Sequence, residues 1–299
     1  MDLRSEPFDL AGARGERVRG EVRRPAAGPG RIPVVVVSHG FKGFRRWGFF
    51  PWLGERLAGR GFASVLFDFS HNGTDAAGEA YPRKDLFRAA TWGTHQEDLA
   101  AVVTAVRAGG LPGADRLDAS RIALLGHSLG GGLSVLHASR DRGIRCVVGL
   151  APVNRADRFS PAEKENWRRK GELGIVNTRT GEKLPLGLGW LEDAEARAAE
   201  LDAAAAAARL ACPLLVVHGE GDTSVPPEEG RSLVESAIAA GRPARFALIR
   251  DTQHTFDAIH PFAGETPALA AAWSEVAGFL DSFLLKFDPA ETAARKGWS

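Results

Sequence analysis

Short runs of β-branched and aliphatic residues recur along the chain at 32–37, 63–67, 121–125, 145–150, 213–218 and 244–249. Residues 34–37 and 122–125 are apolar without interruption, as strands buried on both faces are. Between the runs, apolar positions return with helical spacing, which predicts helices at 49–59, 95–108, 129–140, 228–240 and 265–285. Strand and helix alternating in this way predict βα units on a mostly parallel sheet, the α/β class. The first thirty residues alternate polar and apolar around Gly15 and predict an antiparallel hairpin on one sheet edge.

One connection breaks the rhythm. Residues 153–209 separate two strands where one helix and short loops usually suffice. The segment carries an aromatic stretch around Trp167, a hairpin pattern turning at Asn177-Thr178-Arg179-Thr180-Gly181, and an Ala-rich helical segment at 193–210. An ordered insertion of this size beside an α/β sheet is expected to act as a lid, against the plainer reading of an extra packing layer.

Composition narrows the class. Hydrophobic residues make up 44% and charged residues 25% of the 299, too apolar for disorder and too charged for a membrane protein. There are 38 basic and 37 acidic residues, a net charge of +1, so no nucleic-acid partner is expected. Two cysteines, Cys146 and Cys212, cannot build a disulfide framework and point to a reducing, cytoplasmic compartment. No apolar leader and no run of 18 apolar residues is visible, so neither secretion nor a membrane partner is expected. The triplet Asn72-Gly73-Thr74 fits a glycosylation pattern, which that compartment would leave unused.

The chemistry concentrates at Gly126-His127-Ser128-Leu129-Gly130-Gly131-Gly132, which follows an apolar strand and opens a helical pattern. That is the context of a nucleophile elbow, where a serine sits on a strained strand-to-helix turn and its neighbours two residues away must lack side chains. A phosphate-binding loop would need Gly-Lys-Ser/Thr or G-x-G-x-x-G spacing, and neither is present. A serine nucleophile needs a base, and the base an orienting carboxylate, both following it in the chain at strand ends. Asp222, in the loop after 213–218, and His254, after 244–249, meet that order. Glu220 is the rival carboxylate, while Asp251 and Asp257 are too close in sequence to His254 to reach its outer nitrogen. His127 is expected to point away from the site, and His218 to satisfy a loop. His71 with Asp68 and Asp75 lacks any established ligand spacing, so no metal is expected.

An oxyanion hole needs two backbone donors. Leu129 supplies one by position, and Phe41, after Ser38-His39-Gly40, supplies the other. The segment 41–52 is rich in aromatics. Phe49, Phe50 and Trp52 fall on a helix and read as core, whereas Phe44 and Trp47, with Trp167 and Trp190 of the insertion, are the candidates for contacting substrate.

These segments resemble the α/β-hydrolase superfamily over nearly the whole chain. The pattern Val34-Val-Val-Val-Ser-His-Gly-Phe41, Asp68-Phe-Ser-His-Asn-Gly73, Gly126-His-Ser-Leu-Gly130, His218-Gly-Glu-Gly-Asp222 and His254 looks like the dienelactone-hydrolase and prolyl-oligopeptidase-like branch. Within it, the arrangement is similar to cinnamoyl and feruloyl esterases with a small inserted cap. The resemblance implies a mostly parallel central sheet with helices on both faces, a catalytic core at 1–152 and 210–299, and a cap at 153–209. It implies a serine hydrolase with Ser128, Asp222 and His254 as triad, acting on small carboxylic esters without a cofactor. One departure matters: dienelactone hydrolases carry a cysteine nucleophile, and this elbow has Ser128. A serine peptidase and an acyltransferase use the same residues and remain as alternatives. A non-catalytic binding protein would be expected to have a broken triad. Oligomeric state is left open, a homodimer included.

Overall fold

A computed structural model describes residues 2–75, 80–177 and 180–285. The chain begins with an antiparallel pair, β1 (Leu3–Ala11) and β2 (Arg17–Pro25), joined through a short turn at Ala13–Gly15. Then follow β3 (Ile32–Ser38), α1 (Phe50–Gly59), β4 (Ala63–Asp68), α2 (Lys84–Ala89), α3 (Trp92–Ala108), β5 (Leu117–His127), α4 (Leu129–Ala138) and β6 (Ile144–Leu150). An insertion of α5 (Pro161–Lys170), β7 (Glu172–Val176), β8 (Lys183–Gly187), α6 (Leu188–Ala196) and α7 (Ala203–Ala207) comes next. The core closes with β9 (Leu214–Gly219), α8 (Pro227–Ala239), β10 (Ala244–Ile249) and α9 (Pro267–Leu280).

Eight strands form one sheet in the order β1-β2-β4-β3-β5-β6-β9-β10. From β4 to β10 all neighbours run parallel, while β2 pairs antiparallel with β4 and leaves β1 at the edge. The alternation of side chains along a strand divides the apolar residues between two cores. Val34, Val36, Leu124, Val147, Leu214 and Val216 join the layer containing α3, α4 and α8. Val35, Val37, Leu125, Val148, Leu215 and Val217 join the layer containing α1 and α9. Every residue of β3, β4 and β9 is buried, and the stretches 34–37 and 214–217 are apolar without interruption, as strands covered on both faces are.

Where the structure departs from expectation, local chemistry gives the reason. Helix α3 starts at Trp92 rather than 95, because Thr91 and Thr94 cap each other's backbone amides reciprocally. The expected hairpin in the insertion forms as β7–β8, with Thr178 and Arg179 of its turn outside the described residues. Helix α9 runs into a π-helical turn, Asp281–Leu285, so that Pro267–Leu285 is long and apolar enough to cross a membrane by length and composition, although polar residues interrupt its apolar run. Half of it is buried, and Leu269, Val276, Phe279 and Leu280 pack beneath the sheet as a core helix does.

The insertion is not a detached flap. Trp167, Leu184, Leu186, Trp190, Leu191, Leu201 and Ala206 are buried in the same apolar cluster as the central strands. Its elements therefore stand on the core rather than hinge away from it.

Candidate active site

Ser128 sits between the last residue of β5 and the first of α4, with φ 56° and ψ −118°. A non-glycine residue held there costs of order 1–3 kcal/mol, which the surroundings must offset. They do so by close packing. A Cβ on Gly126 would come within 2.1 Å of the Gly130 carbonyl oxygen, and one on Gly130 within 2.3 Å of the Ser38 carbonyl oxygen. No side chain fits at either position. The Ser128 amide donates to Leu150 O (2.8 Å), and its carbonyl accepts from Gly131, Gly132 and Val153. The turn is thus tied to the helix it opens and to the end of β6.

Asp222 and His254 lie 32 residues apart in sequence, yet His254 Nδ1 stands 2.7 Å from Asp222 Oδ2. The aspartate side chain is fully buried. Its other oxygen accepts from the amides of Ser224 (2.9 Å) and Val225 (3.0 Å). His218 Nε2 adds a contact at 3.3 Å to Oδ2 while donating to Val225 O at 2.8 Å. Burial alone would raise the Asp222 carboxyl, but the bonds from His218 and His254 outweigh it and hold it well below the ordinary carboxylate range. The rival carboxylates are otherwise engaged: exposed Glu220 accepts from the Asp251 amide (3.4 Å), and Asp257 accepts from the Thr252 hydroxyl (2.8 Å).

His127 corrects the expectation that it points away. It lines the cleft with Ser128. Its Nε2 donates to the His254 carbonyl oxygen at 3.0 Å, and the two rings lie 4.6 Å apart. Burial pushes its pKa down to about 3, so it is a neutral donor. His218 satisfies a loop, as expected, and also reaches Asp222. The contacts of His127 and His218 depend on the tertiary path of the loops carrying His254 and Asp222, which local spacing does not encode.

Among the described residues, the backbone amides of Phe41 and Leu129 have no acceptor. The loop that carries Phe41 is held by the end of β4 and the segment that follows it. Asp68 accepts from the Arg45 amide (2.6 Å) and pairs with its guanidinium, and the Phe69 amide donates to His39 Nε2 at 3.3 Å. Tyr81 donates its hydroxyl to the Lys42 carbonyl oxygen. The Asp68-Phe-Ser-His-Asn-Gly73 motif is therefore the support of this loop. Asp68 is committed to Arg45 and His71 to the Ser70 hydroxyl (2.8 Å), and no group of three His, Cys, Asp or Glu among the described residues could hold a metal ion.

Two clefts open at Ser128 and His254, and share Phe41 and Lys42. The first, about 460 Å³, is walled by Trp47, Phe50, Ile259 and His260. The second, about 420 Å³, is walled by Trp92, Val153, Phe159, Ile175 and Trp190, all but Trp92 from the insertion. Of the aromatic candidates, Trp47 and Trp190 reach a cleft. Phe44 and Trp167 do not. Phe44 is fully buried, edge-on to His260 at 5.1 Å, and Trp167 is buried with Nε1 donating to Leu186 O at 3.0 Å. Both are packing residues. Phe50, expected as core, is buried from one side and lines the first cleft from the other. Phe159 and Ile175 carried no sequence signal, because which residues of an irregular segment face a cleft depends on its tertiary path.

The fold and the site define an α/β-hydrolase of the ester-hydrolysing kind. The model of one family, PETase (PET hydrolase-like), matches residues 8–205, and the chain belongs to that family. It is 25% identical over 246 residues to an uncharacterized 31.7 kDa protein of the traX-finO intergenic region of Escherichia coli, covering 70% of this chain and 79% of that one. It is 27% identical over 161 residues to cutinase est2 of Thermobifida alba, 51% of this chain and 47% of that protein. Among solved structures, Est1E from Butyrivibrio proteoclasticus with ferulic acid bound is similar in fold. Its TM-score is 0.72 at 20% identity, over 93% of this chain and all of that one.

Proposed function

We propose that the chain hydrolyses small carboxylic esters with Ser128 as nucleophile, His254 as general base and acid, and Asp222 as the group that orients the imidazole. Ser128 Oγ attacks the acyl carbonyl while His254 Nε2 takes its proton, and the proton then passes to the departing alkoxide. Asp222 accepts from His254 Nδ1–H and favours the imidazolium that forms. The amides of Phe41 and Leu129 receive the negative oxygen of the tetrahedral intermediate, a contribution worth ~3 kcal/mol for each donor in comparable sites. Water, deprotonated by His254, then releases the acid and restores Ser128.

The observation that carries this reading is the 2.7 Å bond between Asp222 and His254, in a cleft shared with a serine held at positive φ. The insertion 153–209 serves as a cap, supported by Phe159, Ile175 and Trp190 walling the second cleft. Its apolar lining favours aromatic or medium-length acyl groups over acetate, since each Å² of apolar surface removed from water contributes ~25 cal/mol. Activity over graded 4-nitrophenyl esters, aryl esters and aminoacyl anilides tests the proposal. Ester turnover rising from acetate to hexanoate is the expected result. Cleavage of the anilides alone would contradict it.

A further inference from the structure

Lys42 follows Phe41 in the loop after β3 and lines both clefts beside Ser128. Its backbone is left-handed, with φ 59°, and its carbonyl oxygen is held by the Tyr81 hydroxyl. The side chain therefore starts from a fixed point. Its ammonium donates to the Val176 carbonyl oxygen at 3.1 Å, across to the β7–β8 hairpin. An ammonium has three N–H groups, and among the described residues the other two have no acceptor.

Charge is unbalanced here as well. Lys84 and Lys164 pair with Glu182 and Asp157 at 2.7 and 2.6 Å, but no described carboxylate lies within 4.0 Å of the Lys42 ammonium. No Asp or Glu lines the first cleft, and its other titratable groups are His127, His254 and His260. In the second cleft Arg158 is already paired with Glu229, and Glu163 is committed to the Ser160 hydroxyl (2.7 Å) and amide (2.8 Å) that begin α5. Burial lowers the Lys42 pKa, as expected of a cation drawn from water without a counter-charge. A partly desolvated cation beside a nucleophile, with spare donors and no carboxylate of its own, fits an anionic ligand group.

We propose that Lys42 binds a carboxylate carried by the substrate, so that the preferred esters are half-esters of dicarboxylic acids or esters of hydroxy acids. Their apolar or aromatic spacer lies against Trp47 and Phe50 in the first cleft, or against Phe159 and Trp190 in the second. The proposal rests on Ser128 acting as an ester-hydrolysing nucleophile. It adds that one end of the substrate is fixed by charge while the ester is presented to Ser128.

Matched ester pairs test it. Mono-4-nitrophenyl succinate, glutarate and adipate are compared with the butyrate, valerate and hexanoate, which replace the carboxylate by a methyl group. Acyl esters of 4-hydroxybenzoate and of 4-methylphenol form the second arm, placing the carboxylate on the leaving group. In the wild type the charged member of at least one arm has the higher kcat/KM at low ionic strength, and added NaCl reduces that preference. The charged-to-neutral ratio falls at least tenfold in Lys42→Met and Lys42→Gln and is partly kept in Lys42→Arg. A ratio that stays within twofold of wild type in folded Lys42→Met overturns the proposal. Should the wild type hydrolyse no ester in either arm, the hydrolase reading fails and the subsite is decided by binding alone. Calorimetry then compares 4-methylbenzoate on wild type and Lys42→Met: tenfold weaker binding to the variant sustains the carboxylate site, and equal affinity overturns it.

Discussion

His127 Nε2 donates to the carbonyl oxygen of His254 at 3.0 Å, and the two imidazoles pack with centroids 4.6 Å apart. The residue before Ser128 thus holds the backbone of His254, and one contact ties the end of β5 to the loop after β10. Removing a neutral hydrogen bond of this kind costs about 1 kcal/mol, and a misplaced base slows the chemical step more than binding. His127→Ala is expected to lower kcat about tenfold with KM changed less than threefold. Steady-state kinetics on a 4-nitrophenyl ester check this. An unchanged kcat would show that the contact is packing alone.

Stability should fall on acidification. Burial lowers His95 and His127 to about 3 and lowers His39, His71 and His137 in the same direction. Below an ordinary imidazole value the unfolded chain takes up protons that the folded chain refuses, so each such group destabilises as pH falls. Between pH 7 and 5 that is ~2 kcal/mol for each of His95 and His127. Asp98 opposes them, because burial raises it to about 6 and the folded chain binds its proton first. That returns ~1 kcal/mol by pH 5. A net loss of about 3 kcal/mol between pH 7 and 5 is expected in urea titrations, and a flat profile would contradict the burial of these rings.

Much of this was legible in the chain, for physical reasons that differ by residue. The parallel strands were visible because β3 and β9 are buried on both faces, so that 34–37 and 214–217 are apolar without interruption and polar residues enter only near the strand ends, at Ser38 and His218. Ser128, Asp222 and His254 were visible because each sits at a strand end, where position along the chain translates directly into position in space. Which aromatics face the clefts was not. Trp47 and Trp190 face a cleft while Phe44 and Trp167 fill the core, and nothing in their local spacing distinguishes them. Lys42 was invisible for a related reason: its distinction is the absence of a nearby carboxylate, which only the tertiary arrangement reveals.

The cysteines give a control. Cys146 and Cys212 are free and buried, and burial raises both thiols, Cys212 to about 12. A protonated, enclosed thiol is a poor nucleophile. Iodoacetamide on the native protein at pH 7.5 should leave activity unchanged and add no mass. Rapid inactivation prevented by substrate would place a thiol in a cleft.

The proposed cap role of the insertion is best tested by point substitution, because its apolar side chains belong to the main core and its removal would disturb more than a lid. Ile175 is partly buried and lines the second cleft. Ile175→Ala removes wall area from a bulky acyl group and none from acetate. The hexanoate-to-acetate ratio of kcat/KM should fall about fivefold, with the acetate rate near wild type. Equal loss on both esters would favour a purely structural insertion.

The proposed hydrolysis turns on Ser128 as nucleophile, and the turnover of Ser128→Ala on the best ester measures that directly. A folded variant with the wild-type melting temperature should retain less than about a thousandth of wild-type kcat, as removal of a serine nucleophile costs several orders of magnitude. A folded Ser128→Ala that keeps more than about a tenth of the turnover would contradict the assignment, since residual catalysis from binding and the oxyanion donors alone is far smaller.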